Sequence, residues 1–112
     1  MHCMDALPQI VTEHLDEVRA LCEKYSVKRL AVFGSAVKGT FDPSRSDLDL
    51  AVEFLPLPDP LERGRHYLDL LVDLQRLFGR EIDLVSVSAI KNPYFKEVLR
   101  LTQRPLYDAR AA

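Results

Sequence analysis

Asp47 and Asp49 stand two apart in the stretch Ser46-Asp47-Leu48-Asp49-Leu50. If that stretch is a strand, both side chains leave the same face. Two carboxylates side by side repel unless a cation sits between them. A hard divalent cation such as Mg²⁺ takes oxygen ligands of this type. Asp-x-Asp alone is weak, because two solvated acids on a strand face give the same pattern. Asp83 adds weight. It lies in Glu81-Ile82-Asp83-Leu84-Val85, where an acid among apolar residues is unexpected unless paired or metal-bound. A strand-end acid bonded to a backbone N–H is the plainer alternative. If the two strands are neighbours, three carboxylates converge on one metal centre.

Gly34-Ser35 supplies a different chemistry. The pair follows an apolar run and precedes a short stretch closed by Gly39. Backbone N–H groups at such a turn make an anion site, and Ser35 adds a hydroxyl donor. A plain turn is the alternative. Lys38 and Arg45 flank this region and are candidates for phosphate contact. In order, the chain reads Gly34-Ser35-x-x-x-Gly39, then Ser46-Asp47-x-Asp49-Leu50, then Asp83. A phosphate cradle followed by an acid trio suits metal-assisted nucleotidyl transfer to a hydroxyl.

The elements that must position these residues follow from periodicity. Ile10, Val11, Leu15, Val18, Leu21, Cys22 and Tyr25 predict one helix over 8–25. Strands are predicted over 27–33, 47–54 and 81–87, with Leu48, Leu50 and Val52 on one face. Asp59-Pro60-Leu61-Glu62 reads as a helix start, and the helix runs to Phe78 before Gly79. A further helix is predicted over 88–101, entered properly at Pro93. Residues 105–107 read as a short edge strand, where proline is tolerated. The expected fold is α/β (α+β), a small mixed sheet with helices packed on it.

Composition sets bounds. A chain of 112 residues, 47% hydrophobic and 29% charged, suits a single soluble domain over 1–112. A formal charge of −2 argues against a dedicated nucleic-acid binder, and no template is expected. Two cysteines make neither a disulfide framework nor a four-ligand zinc site, and Cys22 reads as core. No signal-peptide pattern opens the chain, and no apolar stretch is long enough for a membrane span. A cytoplasmic location is expected. His2, His14 and His66 form no ligand spacing. Arg63, Arg65 and Arg76 read as a solvated helix face, and Tyr94 and Tyr107 as packing residues.

Taken together, Gly34-Ser35-x-x-x-Gly39, Ser46-Asp47-x-Asp49-Leu50 and Asp83 resemble the signature of the polymerase-beta-like nucleotidyltransferase superfamily. The short length resembles its minimal nucleotidyltransferase (MNT) group. The likeness runs from Leu30 to Tyr107. It implies Mg²⁺, one or two ions, and ATP or another nucleoside triphosphate as substrate. Carried over, Gly34, Ser35, Lys38 and Ser46 bind the nucleotide. Asp47, Asp49 and Asp83 are the metal ligands and catalytic residues, with Asp83 helping to activate the acceptor hydroxyl. Many MNT sequences carry a basic residue after the Gly-Ser pair, where this chain has Ala36, and Lys38 offers a partial substitute. The loop 40–45 is one residue longer than the commonest form.

The resemblance also implies a partner. MNT proteins are often encoded beside a HEPN-domain toxin, and some transfer AMP to a tyrosine of that toxin. A chain this short has no second domain to hold the acceptor, so a partner or a second copy must supply that side. Leu55, Leu57 and Leu70-Leu71 are the candidate docking residues. The leading expectation is an AMP-transferring antitoxin. The alternative is a catalytically weak antitoxin that neutralises its HEPN partner by contact alone.

Overall fold

The computed structural model describes residues 9–34 and 48–109. Its elements are α1 (Gln9–Thr12), α2 (Leu15–Lys24), β1 (Val27–Phe33), β2 (Leu48–Phe54), α3 (Pro60–Phe78), β3 (Ile82–Ser86), α4 (Pro93–Thr102) and β4 (Arg104–Asp108). The four strands form one mixed sheet in the order β3-β2-β1-β4. β1 pairs antiparallel with β2 and β4, and β2 pairs parallel with β3 through the α3 crossover. This is the small mixed α+β sheet expected from the sequence. β4 lies at the edge, where Pro105 removes no interior ladder bond.

Each strand sends alternate side chains into one core. Leu48, Leu50 and Val52 of β2 meet Ile82 and Leu84 of β3 on the face covered by α2 and α3. β1 contributes Val27, Leu30 and Val32 to the same face. Val27 and Leu30 are an odd number apart, and the register shift between Val27 and Arg29 restores the alternation. The helices close the layer with Val18 and Cys22 of α2 and Leu70, Leu74 and Phe78 of α3. Tyr25 ties the two helices together by donating to Asp73 at 2.5 Å, and Asp73 holds its phenol up at about 12. His66 Nδ1 lies 2.9 Å from the Tyr25 carbonyl oxygen, so this histidine is bonded within the fold.

Local chemistry sets the helix ends. Asp59 accepts from Leu61 N at 3.0 Å with Pro60 in the first turn. Gly79 closes α3 in the left-handed region at φ 63°. Asn92 caps α4, accepting from Tyr94 N and Phe95 N at 2.9 and 3.3 Å.

Two expectations change. The single helix over 8–25 divides at Glu13–His14, where the His14 ring turns edge-on to Phe78 at 5.5 Å. The helix over 88–101 becomes a short 3-10 turn, Val87–Ala89, then an extended stretch, then α4. A residue before proline avoids the α region, and Asn92 sits at ψ 112°. Asp47, the first residue of the predicted second strand, falls outside the described residues.

Gly64 inside α3 and Gly79 at its C-cap make a test of this framework. A Cβ at Gly64 meets nothing within 4 Å, and none is met at Gly79 either, but Gly79 has positive φ. Gly64→Ala should stabilise by about 0.5–1 kcal/mol through helix propensity. Gly79→Ala should cost about 1–2 kcal/mol through its backbone conformation. Thermal or urea unfolding of the two variants checks the opposite signs. Equal shifts would remove Gly79 from its role as the helix stop.

Candidate active site

The second face of the sheet carries the chemistry. Odd-numbered residues of β2 emerge there: Asp49, Ala51 and Glu53. In the parallel ladder, Asp49 stands directly opposite Asp83, and in the antiparallel ladder it stands opposite Phe33. Adjacent strands run about 4.8 Å apart, so the two carboxylates are neighbours on one surface. Asp49 is half-buried and Asp83 is exposed. Asp83 is therefore neither a buried strand-centre acid nor an isolated one. It completes a carboxylate pair at the amino-terminal end of two parallel strands.

Gly34 closes this end of the site. It follows Phe33 at φ 72°, a conformation that side chains other than glycine adopt at a cost. A Cβ there would stand 3.1 Å from Asp49 Cγ and run into Oδ2. The missing side chain makes room for the Asp49 carboxylate. From sequence, Gly34 is read only as part of a turn that offers N–H groups. Its second role, as the wall behind a carboxylate, depends on the β1–β2 register and has no signal of its own in the sequence.

Ser35, Lys38, Ser46 and Asp47 lie outside the described residues. Of the expected set, the structure brings together Gly34, Asp49 and Asp83. Among the described residues, no group of three or more His, Cys, Asp or Glu side chains assembles around a metal position. Asp49 and Asp83 nevertheless supply two hard oxygen donors from adjacent strands. Mg²⁺ is commonly held by one or two carboxylates together with substrate phosphates, so the pair fits that cation.

Two other candidate nucleophiles among the described residues are disfavoured by their settings. Cys22 is fully buried, and burial pushes its thiol up to about 12. Tyr25 is engaged by Asp73. Beyond Asp49 the same face forms a groove of about 520 Å³ under α4, floored by Ala31 and Ala51 and rimmed by Arg29, Glu53, Lys96 and Arg100. Glu53 lies 3.8 Å from Lys28 Nζ and 3.4 Å from Arg29 Nε. A second groove, about 700 Å³, lies at the opposite ends of β2 and β3 beside Phe54, Arg63, Tyr67 and Ser86.

Exposure revises two expectations. Tyr94 is not a packing residue but stands 78% exposed. Leu70 is fully buried in the core and is no docking residue, because the helix turns Leu68 and Val72 outward instead.

The Gly34 wall gives a test that needs no ligand. Gly34→Ala should cost about 1–2 kcal/mol for its positive φ, plus a further cost from collision with Asp49. In an Asp49→Ala background the second part should vanish, leaving a loss like that of Gly79→Ala. Denaturant unfolding of this double-mutant cycle measures the coupling. Additive losses would mean that Gly34 and Asp49 do not touch.

Comparison with known proteins agrees with this fold. Residues 17–102 match the nucleotidyltransferase domain family. The chain is 34% identical over 100 residues to the protein adenylyltransferase MntA of Thermococcus cleftensis, covering 89% of this chain and 93% of that one. A solved structure of a proposed minimal nucleotidyltransferase superposes with TM-score 0.65 at 29% identity, over 85% of this chain and 91% of that one. The fold also matches, at TM-score 0.55 and 16% identity, a chain from a structure of the tri-AMPylated HEPN toxin of Shewanella oneidensis with its MNT antitoxin, over 90% of this chain and 75% of that one. The matched span, the identity to MntA and the shared fold lead to one conclusion: the protein belongs to the nucleotidyltransferase domain family, in its minimal form.

Proposed function

We propose that this chain is a Mg²⁺-dependent protein adenylyltransferase that moves AMP from ATP to a hydroxyl of a HEPN-type partner and so acts as its antitoxin. The observation that carries the reading is the register pairing of Asp49 with Asp83 beside Gly34. The Thermococcus relative is named for this activity, and the Shewanella complex joins an AMPylated HEPN toxin to an MNT antitoxin. Both facts describe those proteins and support the same reading here.

The proposed chemistry balances simply. The acceptor oxygen bonds to the α-phosphorus of ATP. The bond from that phosphorus to the bridging oxygen breaks, and pyrophosphate leaves. Asp49 and Asp83, with Asp47 as the proposed third ligand, would hold Mg²⁺. When bound, the cation neutralises charge on the attacked phosphate and on the departing pyrophosphate. Asp83, on the exposed side of the pair, would take the acceptor proton. Gly34 and Ser35 are proposed to present donors to the triphosphate tail, with Lys38 and Ser46 beside them. The space beside Gly34, open because it has no side chain, is where the Asp49 carboxylate sits.

Ala36 favours the second reading, a catalytically weak antitoxin acting by contact, because a neutral residue follows Gly34-Ser35. One experiment separates the two. The chain is incubated with its HEPN-type partner, ATP and Mg²⁺, and the partner is weighed by mass spectrometry. The expected result is AMP added to the partner, lost in EDTA, and reduced about 100-fold or more by Asp49→Asn or Asp83→Asn. Wild-type rates in either variant would dismiss the carboxylate pair from the chemistry. An unmodified but neutralised partner would leave only the contact antitoxin.

A further inference from the structure

We infer that the outer face of α4 is where the acceptor protein docks, through an acidic amphipathic helix of its own. The inference rests on the proposed transfer to a protein partner. α4 spans ten residues and buries only Leu99 fully. Tyr94, Val98 and Leu101 recur at helical spacing on one side and stand 78%, 38% and 64% exposed. Seven residues of helix rise about 10 Å, which matches two turns of an opposing helix.

Charge identifies the occupant. Residues 91–112 hold five Lys and Arg against two acids, whereas residues 1–90 hold ten against fifteen. Glu97 is taken by Arg100, whose Nη2 and Nε lie 2.6 and 3.2 Å from its carboxylate oxygens. Lys91 and Lys96 remain exposed at the start of α4 and along it, while Asp108, the other acid of this segment, lies on β4. An apolar helix face edged with Asp and Glu complements that surface in both hydrophobicity and charge.

Position ties the surface to the reaction. Phe95 of α4 packs edge-on to Phe33, with ring centres 6.4 Å apart, and Phe33 is the register partner of Asp49. A helix seated on α4 therefore lies beside the carboxylate pair. The competing stripe on α3, Leu61, Leu68 and Val72, is also exposed at 81%, 59% and 42%. It belongs to the layer on the other side of the sheet, and α3 carries equal numbers of acids and of Lys plus Arg. Neither its position nor its charge serves the acceptor.

Calorimetry with a purified HEPN-type partner protein tests the surface directly, because binding is read without catalysis. Leu101→Asp and Lys96→Glu should each weaken binding about tenfold or more, and Leu68→Asp on α3 should not. Affinity should fall with added salt. All three variants should melt like wild type and bind Mg²⁺-ATP unchanged. In the transfer assay, the α4 variants should raise KM for the partner and leave kcat intact. Wild-type affinity in both α4 variants would overturn the inference, as would loss of binding confined to Leu68→Asp. A wild-type chain that self-associates and becomes monomeric on Leu101→Asp would make this face a contact between copies and also overturn it. Binding without any AMP transfer would sink the catalytic proposal and leave the docking surface standing.

Discussion

The parallel register of β2 against β3 is the constraint on which the site depends. It sets Asp49 opposite Asp83, Leu48 opposite Ile82 and Leu50 opposite Leu84. A slip of one residue would turn one strand over, because side chains alternate with a period of two. Asp83 would then point into the core, and Ile82 and Leu84 would point to solvent. The carboxylate pair and the hydrophobic core are therefore two consequences of one alignment.

Magnitudes show which of the two enforces it. Leu48, Leu50, Val52, Ile82 and Leu84 are all buried between the sheet and its helices. Each such side chain stabilises by about 1.5–3 kcal/mol. Two carboxylates on an open face repel by about 1 kcal/mol once solvent screens them. Core burial wins, so the hydrophobic alignment is what brings the two like charges together. α3 makes the alignment reachable, since a parallel pair needs a crossover, and Asp59 and Gly79 fix where that crossover begins and ends. Gly34 adds the last restriction by leaving the space that Asp49 fills.

Much of this was legible in the residues themselves. β1 occupies the span its apolar run predicts, and Asp59-Pro60 and Gly79 bound α3 as their types require. Asp49 was marked by its two-residue spacing from Asp47, and Asp83 by being an acid in an apolar strand. What the sequence does not announce is pairing. Nothing local in Phe33 says that it will stand beside Asp49, and nothing local in Gly34 says that a carboxylate will fill the place of its Cβ. Both follow from long-range strand register. The break at His14 is likewise tertiary, since it accompanies packing of that ring against Phe78. Tyr94 was misread for a related reason: a tyrosine's type does not say whether the chain covers it, and here it stands exposed.

The central claim is that Asp49 and Asp83 share a cation with the substrate phosphates. Thermal melting of wild type and Asp83→Asn, first in EDTA and then in Mg²⁺-ATP, tests it without a partner protein. In EDTA the variant should melt higher, because neutralising an exposed acid removes repulsion and leaves no buried group unpaired. In Mg²⁺-ATP the wild type should gain by mass action and the variant much less. A variant that melts lower in EDTA and gains as much as wild type from Mg²⁺-ATP would show that the two carboxylates do not act as one metal site.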